Sequence, residues 1–163
     1  MAATKLDLFD LKIIDVLQTK GKISCAQIGE IIGLSETACY NRLRRIESSD
    51  IIKNYSVALH TKKITKFQTF FTIISLKSDM PHDLRQFEQE VMKMPQIVSC
   101  SYVTGTTDYI MKSVAADLDN YIAVIDEVRE RTGNVSRYET LTEVREVKAG
   151  PIPLAELGRE NLG

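Results

Sequence analysis

The sequence contains no long apolar run and no sign of a secretory leader. No segment approaches the roughly 18 consecutive apolar residues that a helix needs to cross a bilayer. The N-terminal stretch carries a charge every few residues and lacks the apolar core of a signal peptide. We therefore expect a soluble protein that works in the cytoplasm.

Residues that do metal, redox or nucleophilic chemistry are also scarce. The cysteines Cys25, Cys39 and Cys100 lie far apart, and they form neither a C-x-x-C pair nor an even-numbered framework. Such spacing is typical of reduced thiols that fill cores. His60 and His82 have no second ligand at metal spacing. No Ser-His-Asp arrangement, phosphate-binding glycine loop or carboxylate pair is present, so the sequence predicts a protein that is not an enzyme and has no metal or cofactor.

Charge is distributed unevenly along the chain. The net charge is only −1, but residues 1–66 contain 11 Lys and Arg against 7 Asp and Glu, whereas residues 67–163 contain 10 against 15. Halves of opposite sign indicate separate roles. Binding of a polyanion is therefore expected only of the first half.

The first half begins with two predicted helices. Apolar residues recur at helical spacing over 6–17, and Asp7 is placed to cap this helix. A second, shorter helix is predicted to begin at Ser24, with Ile28 and Ile31 on its inner face.

A tight turn leads into a third predicted helix. Gly33 permits a left-handed turn, Leu34 is expected to pack inward, and Ser35 caps the next helix. The buried face of that helix is predicted to carry Cys39, Leu43 and Ile46. The residues expected to point away are Thr37, Tyr40, Asn41 and Arg44, with Arg42 and Arg45 on the flanks. Three short helices with this turn before the last are typical of a helix-turn-helix.

The second half alternates between strands and helices. The segments in order are a strand at 67–77, a helix at 81–94, strands at 96–103 and 108–114, a helix at 117–133 and a strand from 134 onward. This β-α-β-β-α-β order predicts the split βαβ, ferredoxin-like arrangement. Two helices cover only one face of such a sheet. Because the first strand is apolar on both faces, we expect the other face to meet a second subunit.

These patterns divide the chain into four parts. We predict a helix-turn-helix domain at 1–58, whose last eight residues are extended, and a linker at 59–66. A ferredoxin-like domain then occupies 67–150. The prolines of the final segment, 151–163, forbid pairing in a central strand, so this segment is predicted to be a C-terminal tail.

Two segments have both an ordinary and a functional interpretation. The third helix is either a solvated helix with Glu/Arg pairs or a surface that reads DNA, because Asn and Arg side chains donate to base edges and phosphates. The loop V-T-G-T-T-D-Y at 103–109 is either a hairpin turn or a site for a free amino acid. In the second interpretation, backbone amides near Gly105 bind the carboxylate and Asp108 binds the ammonium.

The chain resembles the Lrp/AsnC (feast/famine) transcription regulators over about residues 5–154. The stretch G-L-S-E-T-A-C-Y-N-R-L-R-R-I-E at 33–47 is similar to the DNA-binding half of that family, and T-G-T-T-D-Y at 104–109 is similar to its ligand-sensing half. The resemblance implies an α+β protein with an N-terminal winged helix-turn-helix and a C-terminal ferredoxin-like βαββαβ domain of the RAM type. It also implies homodimers that join into larger assemblies such as octamers, with an effector, commonly an amino acid, bound where dimers meet.

The same resemblance implies roles for individual residues. Those facing double-stranded DNA would be Ser35, Thr37, Tyr40, Asn41, Arg44 and Arg45. Those binding the effector would be Tyr102, Thr104, Gly105, Asp108, Tyr109, Leu141 and Thr142. The chain departs from the family at Asp50, where glycine is usual and where Asp tolerates a left-handed turn. It also departs at Gly29, where alanine is favoured and where glycine is expected to loosen the second helix.

Three functions are compatible with this sequence. The leading one is a sequence-specific transcription regulator whose assembly responds to a small effector, which the resemblance implies to be an amino acid. An enzyme similar to sirohaem decarboxylases is the alternative from another class, but it would need basic residues for the tetrapyrrole carboxylates, whereas the second half is acidic. An architectural DNA-binding protein without an effector would leave the T-G-x-x-D loop without a role.

Overall fold

The structure is a computed structural model that describes residues 5–161, without the side chains of residues 62 and 159–161. Its helices and strands in chain order are α1 (Leu8–Lys20), α2 (Cys25–Ile32), α3 (Glu36–Ser48), β1 (Gln68–Leu76), α4 (Pro81–Val91), β2 (Ile97–Tyr102), β3 (Tyr109–Ala115), α5 (Leu118–Thr132), β4 (Val135–Thr142) and α6 (Leu154–Asn161), with a 3-10 turn at Thr61–Lys63. The chain forms two compact units. One contains the residues up to 59 and those from 147 onward, and the other is His60–Glu146.

The first two helices begin where the sequence predicted, and each has a side-chain cap. The Asp7 carboxylate accepts hydrogen bonds from the amides of Phe9 and Asp10 and forms a capping box with Asp10. Ser24 caps α2 in the same way. The prediction for Ile28 is confirmed because it is fully buried, but the prediction for Ile31 is wrong, since 55% of that residue is exposed.

The α2–α3 turn explains why position 29 is glycine. Gly33 has a φ of +77° and ends α2 in the predicted left-handed conformation. The amides of Gly33 and Leu34 both donate to the Gly29 carbonyl. A Cβ on Gly29 would lie 2.3 Å from the Leu34 carbonyl oxygen. Glycine therefore permits a close approach of α2 to the turn, a packing role that the sequence did not predict.

The segment after α3 has no regular structure. Asp50 has a φ of +61°, which confirms the left-handed turn expected at that position. Residues 51–60 form neither a helix nor a strand. The helix-turn-helix is thus present, while the described residues form no β-hairpin wing between α3 and β1.

The last helix belongs to the helical unit. The sequence predicted only a tail after residue 150, but α6 packs against α1. The Asp15 carboxylate accepts hydrogen bonds from the amides of Leu154 (2.9 Å) and Ala155 (2.8 Å), and Leu154 packs on the core of the unit. An acidic side chain of α1 therefore caps the N-terminus of α6.

The second unit is a four-stranded antiparallel sheet with strand order β2-β3-β1-β4. The β-α-β-β-α-β order is confirmed. Its core contains Phe70, Ile74, Phe87, Val91, Met94, Tyr109, Met111, Tyr121, Val124, Ile125, Val128 and Val135. Apart from Met94, which follows α4, these are alternate residues of the strands and one face each of α4 and α5, so both helices cover the same face of the sheet.

The buried stripe of α5 is narrower than predicted. Tyr121, Ile125 and Val128 are buried as expected, but Leu118 and Ile122 are 53% and 44% exposed. Leu118 is the first residue of the helix, and Ile122 is rotated about 100° from Tyr121 on the helix axis. Because α5 packs against the sheet on one side only, both residues remain exposed to solvent.

Candidate functional site

Helix α3 presents a polar surface whose orientation is set by its buried side. Ser35 caps the helix, accepting a hydrogen bond from the Ala38 amide at 3.3 Å. Cys39 and Ile46 are fully buried, and Leu43 packs against the same core. The residues predicted to point outward are all exposed, namely Thr37, Tyr40, Asn41 and Arg44, and the capping Ser35 is exposed at the helix end. The structure therefore brings these side chains together on one side of a single helix.

Arg44 is the arginine of α3 whose charge is not taken up by a carboxylate. Within residues 5–161 it forms no ion pair, whereas Arg42 and Arg45 do. Tyr40 and Arg44 border a surface groove of ≈ 510 Å³ that Lys22 also lines. The guanidinium of Arg44 is thus available to a ligand outside the chain.

The two flanking arginines are held by acids of α1. Arg42 donates to Asp7 at 2.6 Å and to Asp10 at 2.9 Å, and Arg45 donates to the second oxygen of Asp10. Arg45, which the resemblance placed on the DNA, has its guanidinium in this ion pair, although 49% of its side chain is exposed. Burial disfavours ionisation of Asp7, but the hydrogen bonds from Arg42 and the Asp10 amide outweigh it and hold the pKa of Asp7 below its ordinary value.

The prediction from sequence missed the role of Asp10. This residue is fully buried, yet the sequence predicted neither its burial nor its partners. Leu6, Asp10, Ile13 and Leu17 follow one another at spacings of four, three and four, which puts Asp10 on the apolar stripe of α1. An acid on such a stripe requires hydrogen-bond donors or a cation as partners, and this is the signal that could have indicated its pairing.

Tyr55 connects the segment after α3 back to that helix. Its hydroxyl donates to Glu47 at 2.6 Å, and the Lys22 ammonium lies 5.4 Å from the centre of its ring. Burial and the Glu47 carboxylate raise the pKa of Tyr55 to about 12. The phenol therefore stays protonated and keeps residues near 55 beside α3.

The loop between β2 and β3 is hydrogen-bonded to β1 through its own residue Asp108. Asp108 accepts a hydrogen bond from the Leu76 amide on its Oδ2 atom at 2.7 Å, and its amide donates to the Ile74 carbonyl. Gly105 has a φ of +134°, a conformation that favours glycine. The predicted turn role of Asp108 and Gly105 is thus present, and the Oδ1 atom of Asp108 makes no hydrogen bond or ion pair within the described chain.

The loop also has backbone donors that are not used internally. Thr104, Gly105 and Thr106 are exposed. No hydrogen bond within residues 5–161 is donated by the amides of Gly105 or Thr106. The loop therefore offers amides for an anion close to one free carboxylate oxygen of Asp108.

The predicted effector residues do not converge within one chain. Tyr109 pairs with buried Ile74 on the helix-covered face, whereas Leu141 pairs with Phe71 on the open face. Thr142 pairs with Phe70, four residues from Ile74 along β1, which is about 13 Å at the rise of a strand. The loop and the end of β4 thus lie at separate places on the sheet.

Tyr109 belongs to the core instead of lining an open site. It is 2% exposed, its ring lies 4.6 Å from that of Phe87, and its hydroxyl donates to Glu88 at 2.9 Å. Burial and this carboxylate raise the pKa of Tyr109. Tyr102 stands beside it with 58% of its surface exposed and a ring separation of 5.1 Å. Of this pair, only Tyr102 can contact a ligand without rearrangement.

The cysteines are free thiols in the described chain. Cys39 is buried, as predicted, and burial raises the pKa of its thiol. Burial also raises the pKa of Cys100 to about 11. No group of three or more His, Cys, Asp or Glu side chains that could hold a metal ion is found among residues 5–161. No helix in that same range has the length and apolar character needed to span a membrane.

A helix-turn-helix with an exposed polar second helix, joined to a four-stranded βαββαβ unit with an exposed loop between β2 and β3, is the architecture of a two-domain DNA-binding regulator. Residues 6–47 match the family model described as the AsnC-type helix-turn-helix domain, and residues 69–153 match the Lrp/AsnC ligand binding domain. The chain belongs to the Lrp/AsnC family of transcription regulators.

Curated relatives and solved structures agree with this assignment. The transcriptional regulatory protein DoeX of Halomonas elongata is 33% identical over 144 residues, covering 88% of this chain and 91% of that protein. The leucine-responsive regulatory protein of Escherichia coli K12 is 32% identical over 88% of this chain and 87% of its own. The structure of transcriptional regulator NMB0573 of Neisseria meningitidis in complex with L-Met has a TM-score of 0.83 and 25% identity, covering 94% of this chain and 99% of that one.

Proposed function

We propose that α3 reads the major groove of double-stranded DNA, with Thr37, Tyr40, Asn41 and Arg44 on the duplex and Ser35 at a phosphate. The observation that carries this proposal is the exposed polar face of α3, fixed in orientation by Cys39 and Ile46 on its other side. In a helix-turn-helix the N-terminal part of the second helix approaches the bases. Asn and Arg side chains there can make bidentate bonds to adenine and guanine.

The test begins with a duplex selected from a random library by the wild-type protein. Arg44→Ala is expected to weaken binding to the selected duplex by about 1–3 kcal/mol if Arg44 reads a base. Arg85→Ala removes the same charge from exposed α4 and is the matched control. Equal affinities of the Arg44 and Arg85 variants would remove Arg44 from the interface. Failure to select any duplex would refute DNA reading as a whole.

We further propose that the second unit binds a free amino acid and that this binding shifts the assembly of homodimers into larger oligomers such as octamers. The unpaired amides of Gly105 and Thr106 suit a carboxylate, and the Oδ1 atom of Asp108 suits an ammonium. The relative solved with L-Met supports an amino-acid ligand. Tyr102 and Thr104 would complete the loop side of this site, while buried Tyr109 would support the Tyr102 ring from the core.

The separation of the predicted effector residues supports a site shared between copies. Leu141 and Thr142 lie on a different part of the sheet from the loop, so they would reach the ligand from a neighbouring chain. A ligand held between copies shifts the association equilibrium by its difference in affinity for the two states. Sedimentation of the protein with and without the ligand would measure that shift, and identical distributions would contradict it.

The effector is identified by a thermal-shift screen against the twenty amino acids. A ligand at 100 times its dissociation constant is expected to add about 2.7 kcal/mol of stability. Asp108→Asn is the informative variant because its amide oxygen can still accept the Leu76 amide while the negative charge is lost. We expect this variant to fold and to lose the shift. A retained shift would place the ammonium elsewhere.

We propose that the protein is a cytoplasmic regulator and not an enzyme, since the curated relatives with matching length are named as regulators. A sirohaem decarboxylase would carry out turnover of added sirohaem and would show tetrapyrrole absorbance after purification. An architectural DNA-binding protein would bind duplexes without any response to an amino acid. Either result would replace the corresponding part of this proposal.

A further inference from the structure

The Asp10 carboxylate is a buried polar group of the helical unit to which the proposed function gives no role. It is fully buried on α1 and accepts hydrogen bonds from the Asp7 amide at 2.9 Å, from Arg42 on Oδ1 at 2.9 Å, and from Arg45 on Oδ2. Both oxygens are therefore occupied. A buried carboxylate is strongly unfavourable unless it is paired in this way, so α1 and α3 are held where both pairs form.

The two pairs fix the rotation of α3 about its own axis. Arg42 and Arg45 are three residues apart and both point to α1, which leaves them about 60° apart around the helix. Thr37, Tyr40 and Arg44 fall within a similar sector on another side of α3, more than about 100° from the midpoint of the two arginines. A rotation of α3 about its axis that moved Thr37, Tyr40 and Arg44 would also move Arg42 and Arg45, and it would break their hydrogen bonds to Asp10.

The pairing also neutralises charge that would otherwise face a ligand. Arg42 and Arg45 together offer two positive charges, and Asp7 and Asp10 together offset them. The charge of Arg44 is not offset in this way, because none of the described carboxylate side chains forms an ion pair with it. The neighbouring arginines of α3 thus have different roles, two toward α1 and one toward solvent.

We propose that Asp10 is a positioning residue for DNA recognition, which holds α3 in its reading orientation through Arg42 and Arg45. Arg45 then acts by holding the helix, in place of the direct DNA contact implied by the resemblance. This inference rests on the proposed DNA binding by α3. It assigns sequence discrimination to a residue that never touches DNA.

The test compares affinity for the selected duplex with affinity for a random duplex. Asp10→Asn retains size but removes the charge and one strong acceptor, so α3 is expected to lose its fixed orientation. The ratio of selected to random affinity should then fall about tenfold, the equivalent of one base contact. Random-duplex affinity should stay or rise, because a negative charge has been removed.

Arg42→Gln provides a second variant in case Asp10→Asn does not fold. Arg42 is 28% exposed, and its replacement leaves Asp10 paired with Arg45. The expected result is again a lower ratio with an unchanged salt dependence of binding. Arg45→Gln separates the two roles of that residue, since loss of a phosphate contact would reduce the slope of log affinity against log salt by about one and weaken both duplexes alike.

The outcomes distinguish this inference from the proposed function. If Arg44→Ala weakens selected binding but folded Asp10→Asn and Arg42→Gln keep the wild-type ratio, the positioning role is wrong and DNA reading stands. If these variants only melt at a lower temperature, Asp10 is a stability residue alone. If Arg45→Gln lowers the salt slope, Arg45 contacts DNA directly, and its assignment to positioning is overturned.

Discussion

Removal of the Asp15 carboxylate is expected to release α6 from the helical unit. Asp15 accepts hydrogen bonds from the first two amides of α6, at 2.9 Å from Leu154 and 2.8 Å from Ala155. Loss of a helix cap costs about 1 kcal/mol, within a range of roughly 0.5–2. Loss of a negative charge at a helix N-terminus adds about 0.3–1 kcal/mol. For Asp15→Ala we therefore expect a local destabilisation of about 1–2 kcal/mol.

The consequence should be local because α6 is short. A helix of eight residues is marginal by itself, so α6 depends on its cap and on the packing of Leu154. On α1 the change to alanine raises helix propensity and should not weaken that helix. Hydrogen exchange followed by mass spectrometry is the appropriate assay, since it reports each segment separately. Amide exchange in α6 should accelerate about tenfold for each 1.4 kcal/mol, while exchange in α5 remains unchanged.

Two further variants make this prediction refutable. Asp15→Asn retains one acceptor oxygen and should give an intermediate effect. Asp126→Ala removes an exposed acid from α5 and should leave α6 unaffected. Wild-type protection of α6 in Asp15→Ala would show that packing alone holds the helix. Equal acceleration over the whole chain would show that the helical unit unfolds as one body and that the local argument is wrong.

Three other predictions concern stability. Gly29→Ala should lower the urea midpoint of unfolding, because its Cβ would lie 2.3 Å from a backbone oxygen. The overpacking cost of about 1–3 kcal/mol exceeds the gain in helix propensity. A raised midpoint would contradict the close approach. Asp7→Asn should remove part of the acid sensitivity of unfolding. The lowered pKa of Asp7 stabilises the fold at pH values above its ordinary pKa of 3.8, and this contribution is lost as the pH falls through the lower folded pKa. The difference in free energy of unfolding between wild type and variant should therefore close in acid. Tyr121→Phe removes the hydroxyl that bonds Thr72 at 2.9 Å and Thr140 at 2.7 Å. Calorimetry should show that the free energy of unfolding falls by about 1–3 kcal/mol. An unchanged melting temperature would mean that the threonines find other partners.

The local signals in the sequence were sufficient for the element order. Capping at Asp7 and Ser35, the helix start at Ser24 and the left-handed turn at Gly33 were all predicted, because they depend on residues only a few positions apart. The βαββαβ order follows from periodicity for the same reason. The exposed residues of α3 were also predicted, since one buried stripe on a helix defines the opposite side.

The errors arose where distant segments meet. Ile31 and Ile122 are apolar residues at helical spacing, and only the extent of the neighbouring surface leaves them exposed. The docking of α6 depends on Asp15, about 140 residues earlier in the chain. No periodicity in either segment indicates that pairing.

The candidate site divides in the same way. The sequence by itself determined which side chains α3 turns outward, and it offered a turn at Gly105 and Asp108 as one of two interpretations of that loop. Only the tertiary structure decided that Arg42 and Arg45 are bound to buried Asp10 while Arg44 is not, and that Tyr109 and Leu141 lie on opposite faces of the sheet. The physical reason is that ion pairing and strand register depend on the distances between elements, which a pattern along one element does not contain.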